Sequence, residues 1–157
     1  MPWRGLPPCF CRWPARPARP RRRPRRPRAP PGPQPAAAAT EFEATLTGPQ
    51  TVPPTASIGT GRALLTLDGD RTLHWRIEHR GLSAVITAAR FHGPAAPGTV
   101  APAVLDAGVA GLASPIEGSA PLDAGQLAAL AAGRWYVEID TRMHPDGEIR
   151  GQLRPAP

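Results

Sequence analysis

From residue 41 onward, apolar and polar positions alternate over short stretches, and glycine or proline separates each stretch from the next. In Leu73-His74-Trp75-Arg76-Ile77-Glu78, the residues Leu73, Trp75 and Ile77 fall on one side and His74, Arg76 and Glu78 on the other. Side chains of an extended chain point alternately to opposite faces, so this pattern predicts a strand with one buried and one wet face. Residues 62–67 are its expected partner, and the link Asp68-Gly69-Asp70-Arg71 has the Asp-Gly chemistry of a tight hairpin. The same reading predicts strands over 42–47, 85–92, 135–141 and 148–153, and a weaker one over 115–120. Short strands spaced by turn residues point to an all-β sandwich or barrel.

One segment departs from the alternation. Residues 123–133, DAGQLAALAAG, open on an N-capping aspartate, continue with helix formers and close on a glycine, which predicts a helix of two to three turns ending at Gly133. Leu127 and Leu130, with Ala131, would form the stripe that presses onto the sandwich.

Composition divides the chain. With 157 residues there is room for one domain with one sizeable core. Ten arginines and no acidic residue precede Glu41, whereas the remainder holds nine arginines against twelve Asp and Glu, so the formal +7 is a tail of +10 joined to a domain of −3. The expected organisation is a leader over 1–40 and a folded domain over 41–154. In the leader, residues 14–35 place a proline every two or three positions among arginines, which forbids helix and predicts a disordered or polyproline-like segment. A basic arm of this kind is also able to bind nucleic acid or anionic lipid through phosphate contacts, but its arginine run has no aromatic residue to stack on bases. The only cysteines, Cys9 and Cys11, lie in the leader, so the domain has no internal disulfide, and two thiols are half of a closed zinc site. No apolar run approaches the roughly 18 residues of a membrane span. Nor do residues 1–34 contain the apolar stretch of a signal peptide, although residues 36–40 have the small side chains of a cleavage region. Either the chain stays inside the cell, or its start is misassigned upstream of a truncated or out-of-frame signal sequence; the second is the expectation adopted.

Several blocks of the domain together resemble one known family. They begin with Phe42-Glu43-Ala44-Thr45-Leu46-Thr47-Gly48-Pro49-Gln50-Thr51-Val52-Pro53-Pro54 and continue through Gly59-Thr60-Gly61-Arg62-Ala63 and Arg80-Gly81-Leu82-Ser83. Next come Thr87-Ala88-Ala89-Arg90-Phe91-His92-Gly93-Pro94-Ala95, the predicted helix, Tyr136-Val137-Glu138-Ile139-Asp140-Thr141, and Pro145-Asp146-Gly147-Glu148-Ile149-Arg150-Gly151-Gln152-Leu153. In order and content these blocks are similar to the chordin-domain (CHRD) family. The resemblance implies an extracytoplasmic module, found in bacterial secreted proteins and repeated in animal chordins, with no settled enzymatic activity. With the strand pattern, it sets the expected fold as an antiparallel Greek-key β-sandwich, immunoglobulin-like or copper-zinc superoxide dismutase-like, with one short helix.

The family pattern has histidines where this chain has Arg90, His92 and Asp140, so only His92 remains of three. Histidines at i and i+2 of a strand share a face and, with a third, would suit copper or zinc. A guanidinium offers no lone pair to a metal, so no metal and no cofactor are expected here. Arg90 and Asp140 are instead expected to form a salt bridge, within a structural polar cluster of Arg90, His92, Asp140, Glu148 and Arg150 that alternation extends to Tyr136 and Glu138. His144 reads as a solvated turn residue, and His74 and His79 face opposite ways. No Gly-x-Ser-x-Gly elbow or phosphate loop is present. The carboxylate pairs Asp68 with Asp70 and Asp146 with Glu148 each bracket a turn glycine, so no catalytic residue is assigned.

The expected function is therefore a non-enzymatic extracytoplasmic binding or structural module for an unknown extracellular or cell-surface partner. Its exposed loops over 93–103 and 144–147 would present the binding surface. No nucleic acid is expected for the domain itself. The alternatives are a metal-binding or superoxide-dismutase-like redox protein, and nucleic-acid binding through the basic tail.

Overall fold

The computed structural model describes residues 40–157, and the expectations for the arginine-proline leader lie outside the described residues. Strands β1 (Thr40–Thr47), β2 (Thr60–Leu67) and β3 (Thr72–Arg80) form an antiparallel meander. Its register sets Phe42 opposite Leu65 and Leu65 opposite Trp75, so the apolar positions of all three strands line one face. The remaining strands are β4 (Ile86–His92), β5 (Ala103–Asp106), β6 (Ile116–Pro121), β7 (Tyr136–Thr141), β8 (Ile149–Gln152) and β9 (Arg154–Pro155). All pairings are antiparallel, and the order across the sheet is β5-β4-β7-β8-β1-β2-β3-β6, with β9 also on β1.

Four strands separate β3 from β4 in that order, yet the rings of Trp75 on β3 and Phe91 on β4 meet edge to face with centroids 5.4 Å apart. The sheet therefore curls until its two halves face each other across one core. The fold is the expected all-β antiparallel type with one short helix, and its two layers are halves of a single sheet, joined where β1 pairs with both β2 and β8. Trp75 also ties the halves by a hydrogen bond from Nε1 to the carbonyl of Ala107, 3.1 Å, while the Ala107 amide donates to Ala89 on β4, 2.9 Å. Phe42, Leu65, Ile77, Phe91, Trp135 and Ile139 are among the fully or nearly fully buried residues of this core.

The helix forms where its signals lie. α1 (Ala124–Ala131) carries a complete capping box: Asp123 accepts from the Gln126 amide, and the Gln126 side chain accepts from the Asp123 amide. The chain leaves through Gly133 at φ +66°, whose amide closes on Leu130. The stripe differs from the expected one, because Leu130 and Ala129 are buried, Leu127 is half-buried and Ala131 is exposed.

Two further differences have local causes. In the β2–β3 hairpin the left-handed residue is Arg71, at φ 70°, and not the glycine of the Asp-Gly pair. The turn closes by Arg71 N to Asp68 O, and Asp70 accepts from the Thr72 amide, so the loop is a turn followed by one left-handed residue. β5, unpredicted, is a four-residue edge strand held only to β4, too short to show a period.

Candidate functional site

The register of three neighbouring strands places a set of polar side chains together. Arg90 on β4 lies opposite Glu138 on β7, which lies opposite Arg150 on β8; one step along, His92 lies opposite Tyr136. Val137, Ile139 and Thr141 fill the alternate, core-facing positions of β7, so Tyr136, Glu138 and Asp140 point to the outer face. A sheet face of this kind is ordinarily wet, yet Tyr136 is 0 % exposed, Glu138 8 %, Asp140 8 % and Arg150 2 %.

The cover is the segment 93–102. Its carbonyls are caught by side chains of the face: Gln152 Nε2 donates to Ala95 O (3.2 Å), Arg150 Nη2 to Thr99 O (2.7 Å), and the Tyr136 hydroxyl to Ala101 O (3.2 Å) while it accepts from the Ala101 amide. His92 Nδ1 lies 3.0 Å from the same Ala101 carbonyl, which places the ring proton on Nδ1 and leaves Nε2 as a lone pair. The His92 ring stacks on Tyr136 at 4.8 Å and 6°, and the Arg150 guanidinium sits 3.5 Å from the centre of the same ring. The loop expected to be a free presenting surface is thus pinned at its base, with Gly93 and Ala95 buried and residues 96–100 at its tip exposed.

Arg90 Nη1 donates to Asp140 Oδ2 at 2.7 Å, the shortest polar contact of the face together with that of Arg150 on Thr99. Glu138, in contrast, accepts no hydrogen bond among the described residues; the one basic side chain within 4.0 Å is the His92 ring, whose Nε2 lies 4.0 Å from Oε2. The carboxylate lies against Gly147 at φ +108°, where a Cβ would come within 2.1 Å of Glu138 Oε1, so the turn must be glycine for Glu138 to lie there. Burial pushes the Glu138 carboxyl up to about 7, the charges of Asp140 and Asp146 push the same way, and Arg150 opposes them. Burial also raises Asp140 against the pull of Arg90, and it lowers His92. Above these groups is an open cleft of about 480 Å³ whose wall includes Val52, Pro53, Val100, Pro145 and Asp146.

Glu148 does not join this set. The Glu148 amide bonds to Ile139 O and the next residue, Ile149, is the register partner of Ile139, so an extra residue enters the strand here. Such a bulge breaks strict alternation and sends Glu148 to the core side. There its carboxylate, fully buried, accepts from Ser57 Oγ (2.7 Å), the Ser83 amide (2.7 Å), Ser83 Oγ (2.9 Å) and Thr141 Oγ1 (2.6 Å). Burial acts to raise this carboxyl, but the four donors outweigh it and hold it below the ordinary range. Of this network the sequence offered one sign, a threonine at position 141 where alternation demands a core residue. Ser57 and Ser83 come from loops and gave none.

His144 is half-buried beside Ser57 and Ser83, in a second cleft on that side. His74 pairs with Asp68 at 3.0 Å, and His79 Nε2 lies 3.2 Å from Leu112 O. Among the described residues, no three His, Cys, Asp or Glu side chains are placed to hold a metal ion. None of the described helices is long and apolar enough to cross a membrane.

Residues 42–153 match the family model described as CHRD domain. Neither a curated protein nor a solved structure matches the chain.

Proposed function

Because the chain belongs to the CHRD family, we propose that it is a non-enzymatic binding module that works outside the cytoplasm and engages an extracellular or cell-surface partner through the cleft over β4, β7 and β8. The observation that carries this reading is Glu138, a charge-bearing group 8 % exposed at the floor of an open cleft, which accepts no hydrogen bond among the described residues and has only His92 Nε2 near it, 4.0 Å away. Protein interiors pair such groups because desolvation is costly, so an unpaired one beside open space suits an external ligand. Among the described residues that line the cleft there is no serine, threonine or cysteine to act as a nucleophile. Its two arginines are spent on the fold, Arg90 on Asp140 and Arg150 on Thr99. A superoxide-dismutase-like reading is opposed by that same Arg90–Asp140 pair, and nothing described favours a nucleic-acid ligand for a domain of net charge −3.

Fractionation of native cells with N-terminal sequencing of the isolated protein tests the compartment. Recovery outside the cytoplasmic membrane with a mature start between Ala36 and Glu41 supports the proposal, and retention in the cytoplasm with Met1 intact overturns it. Metal analysis of the same material tests the activity class: copper at one equivalent would replace the binding-module reading with a redox one, and zinc at one equivalent with a metal-binding one.

A further inference from the structure

We propose that the ligand group is the cationic head of a basic side chain, a lysine ammonium or an arginine guanidinium, which meets Glu138 at the floor of the cleft while its methylene stem lies along the rim. This deepens the binding reading of the same cleft and rests on it. The sign of the ligand follows from which charges are already committed. Arg90 is bonded to Asp140, and Arg150 is stacked on Tyr136 and bonded to Thr99. His92 donates its Nδ1–H to the Ala101 carbonyl, and burial favours its neutral form. Among the described residues, Glu138 and Asp146 accept no hydrogen bond, the first 8 % exposed and the second open on its turn. What the cleft has left to offer is negative.

The shape of the rim selects among cations. Val52, Pro53, Val100 and Pro145 line the mouth, and Val100 is 68 % exposed, an apolar surface with nothing on it. Lysine and arginine carry an aliphatic stem below a charged head and cover apolar surface while the head seeks its partner. A bare metal ion gains nothing from such a rim and finds no set of three donors among the described residues. The groups facing Glu138 are Arg90 and His92 from β4, Asp140 on its own strand, Arg150 from β8 and Asp146 from the turn before it. Binding a cation there requires the carboxylate form, so it releases a proton near neutral pH.

The test is calorimetric titration of the full chain with three blocked tripeptides, acetyl-Gly-X-Gly-amide with X lysine, arginine or norleucine, at pH 6 and pH 8. The lysine or arginine peptide is expected to bind and the norleucine peptide to fail. Binding at pH 8 is expected to be about tenfold tighter than at pH 6, because a carboxyl titrating at about 7 is mostly charged at the higher pH. Glu138→Gln, a neutral variant of the same size, should abolish binding and its pH dependence. Asp146→Lys, on an exposed turn where folding is not at stake, should block the mouth with a built-in cation. Equal binding of the norleucine peptide, undiminished binding by Glu138→Gln, or zinc binding at one equivalent that Glu138→Gln abolishes would each overturn the proposal. Failure of both the lysine and the arginine peptide to bind overturns it. That failure, in protein recovered outside the cytoplasm, removes the cationic ligand alone; recovery in the cytoplasm removes the extracytoplasmic module whatever the peptides do.

Discussion

Glu138 and Glu148 are both buried on the same hairpin, and they differ in what surrounds the carboxylate. Four donors surround Glu148, so its charged form is preferred; burial beside the carboxylates of Asp140 and Asp146, with no donor to offset it, favours the neutral form of Glu138. The two residues therefore tilt stability with pH in opposite directions. A folded-state value above the unfolded one means that Glu138 binds its proton more tightly in the native protein. Its contribution is complete below about 4.5 and is lost as pH rises through about 7, a change on the order of 3 kcal/mol. Glu138→Gln should remove that slope, leaving the variant more stable than the parent at pH 8 and close to it at pH 4.5. Urea midpoints across this range check it, and an unchanged slope would show that Glu138 is charged and solvated. Glu148 has its value held down, so its contribution is present above the unfolded value and lost as pH falls through the folded one. Glu148→Ala strands donors from Ser57, Ser83 and Thr141 and should cost about 3 kcal/mol at neutral pH, again read from urea midpoints. A loss below 1 kcal/mol would mean that water replaces the carboxylate.

At the scale of the element, the β2–β3 hairpin separates what sequence chemistry reveals from what it does not. Asp-Gly marks the turn, but the left-handed conformation falls two residues later on Arg71. A residue with a Cβ is disfavoured there by about 1–2 kcal/mol, of which glycine recovers part after its own larger loss of freedom on folding. Arg71→Gly should therefore raise stability by about 0.5 kcal/mol, seen as a melting temperature higher by a few degrees, and a lower one would show that the Arg71 side chain holds the turn. Strands and helix were legible because period-two alternation and helix-end signals are local: Leu73, Trp75 and Ile77 on one face, Asp123 opening the helix and Gly133 closing it. The polar face was legible in part for the same reason, since alternation alone puts Arg90 with His92 and Tyr136 with Glu138 and Asp140. Its burial was not, because the cover over it is segment 93–102, whose Ala, Pro and Gly residues show nothing of the side chains of Gln152, Arg150 and Tyr136 that pin their backbone. The bulge at Glu148 was equally hidden, as one inserted residue leaves no mark on composition.

The whole molecule depends on the closure of one sheet upon itself. The meander β1-β2-β3 with β6 makes one wall and β4, β5, β7 and β8 the other, and the chain crosses between them from β3 to β4, from β5 to β6 and from β6 to β7. Neither wall buries its apolar face without the other, so the two cannot melt separately. Trp75 is the clearest joint: its ring meets Phe91 across the core, its Nε1 holds the Ala107 carbonyl, and its six-membered ring lies over Gly118, where a Cβ would come within 2.5 Å. Trp75→Phe removes the indole donor and leaves both an unfilled space and an unpaired buried carbonyl, an expected loss of about 2–3 kcal/mol. Because that loss falls on the contact between walls, it should appear as one earlier transition, with far-UV and near-UV circular dichroism falling at the same urea concentration. A variant in which the far-UV signal persists after the near-UV signal is gone would mean that one wall holds without the other. The cleft over β4, β7 and β8 would then rest on half a sheet. If instead the two signals fall together, the rigid floor that keeps Glu138 buried and unpaired is a property of the closed sheet as a whole, and a distant change such as Trp75→Phe should weaken binding at the cleft only as far as it unfolds the domain.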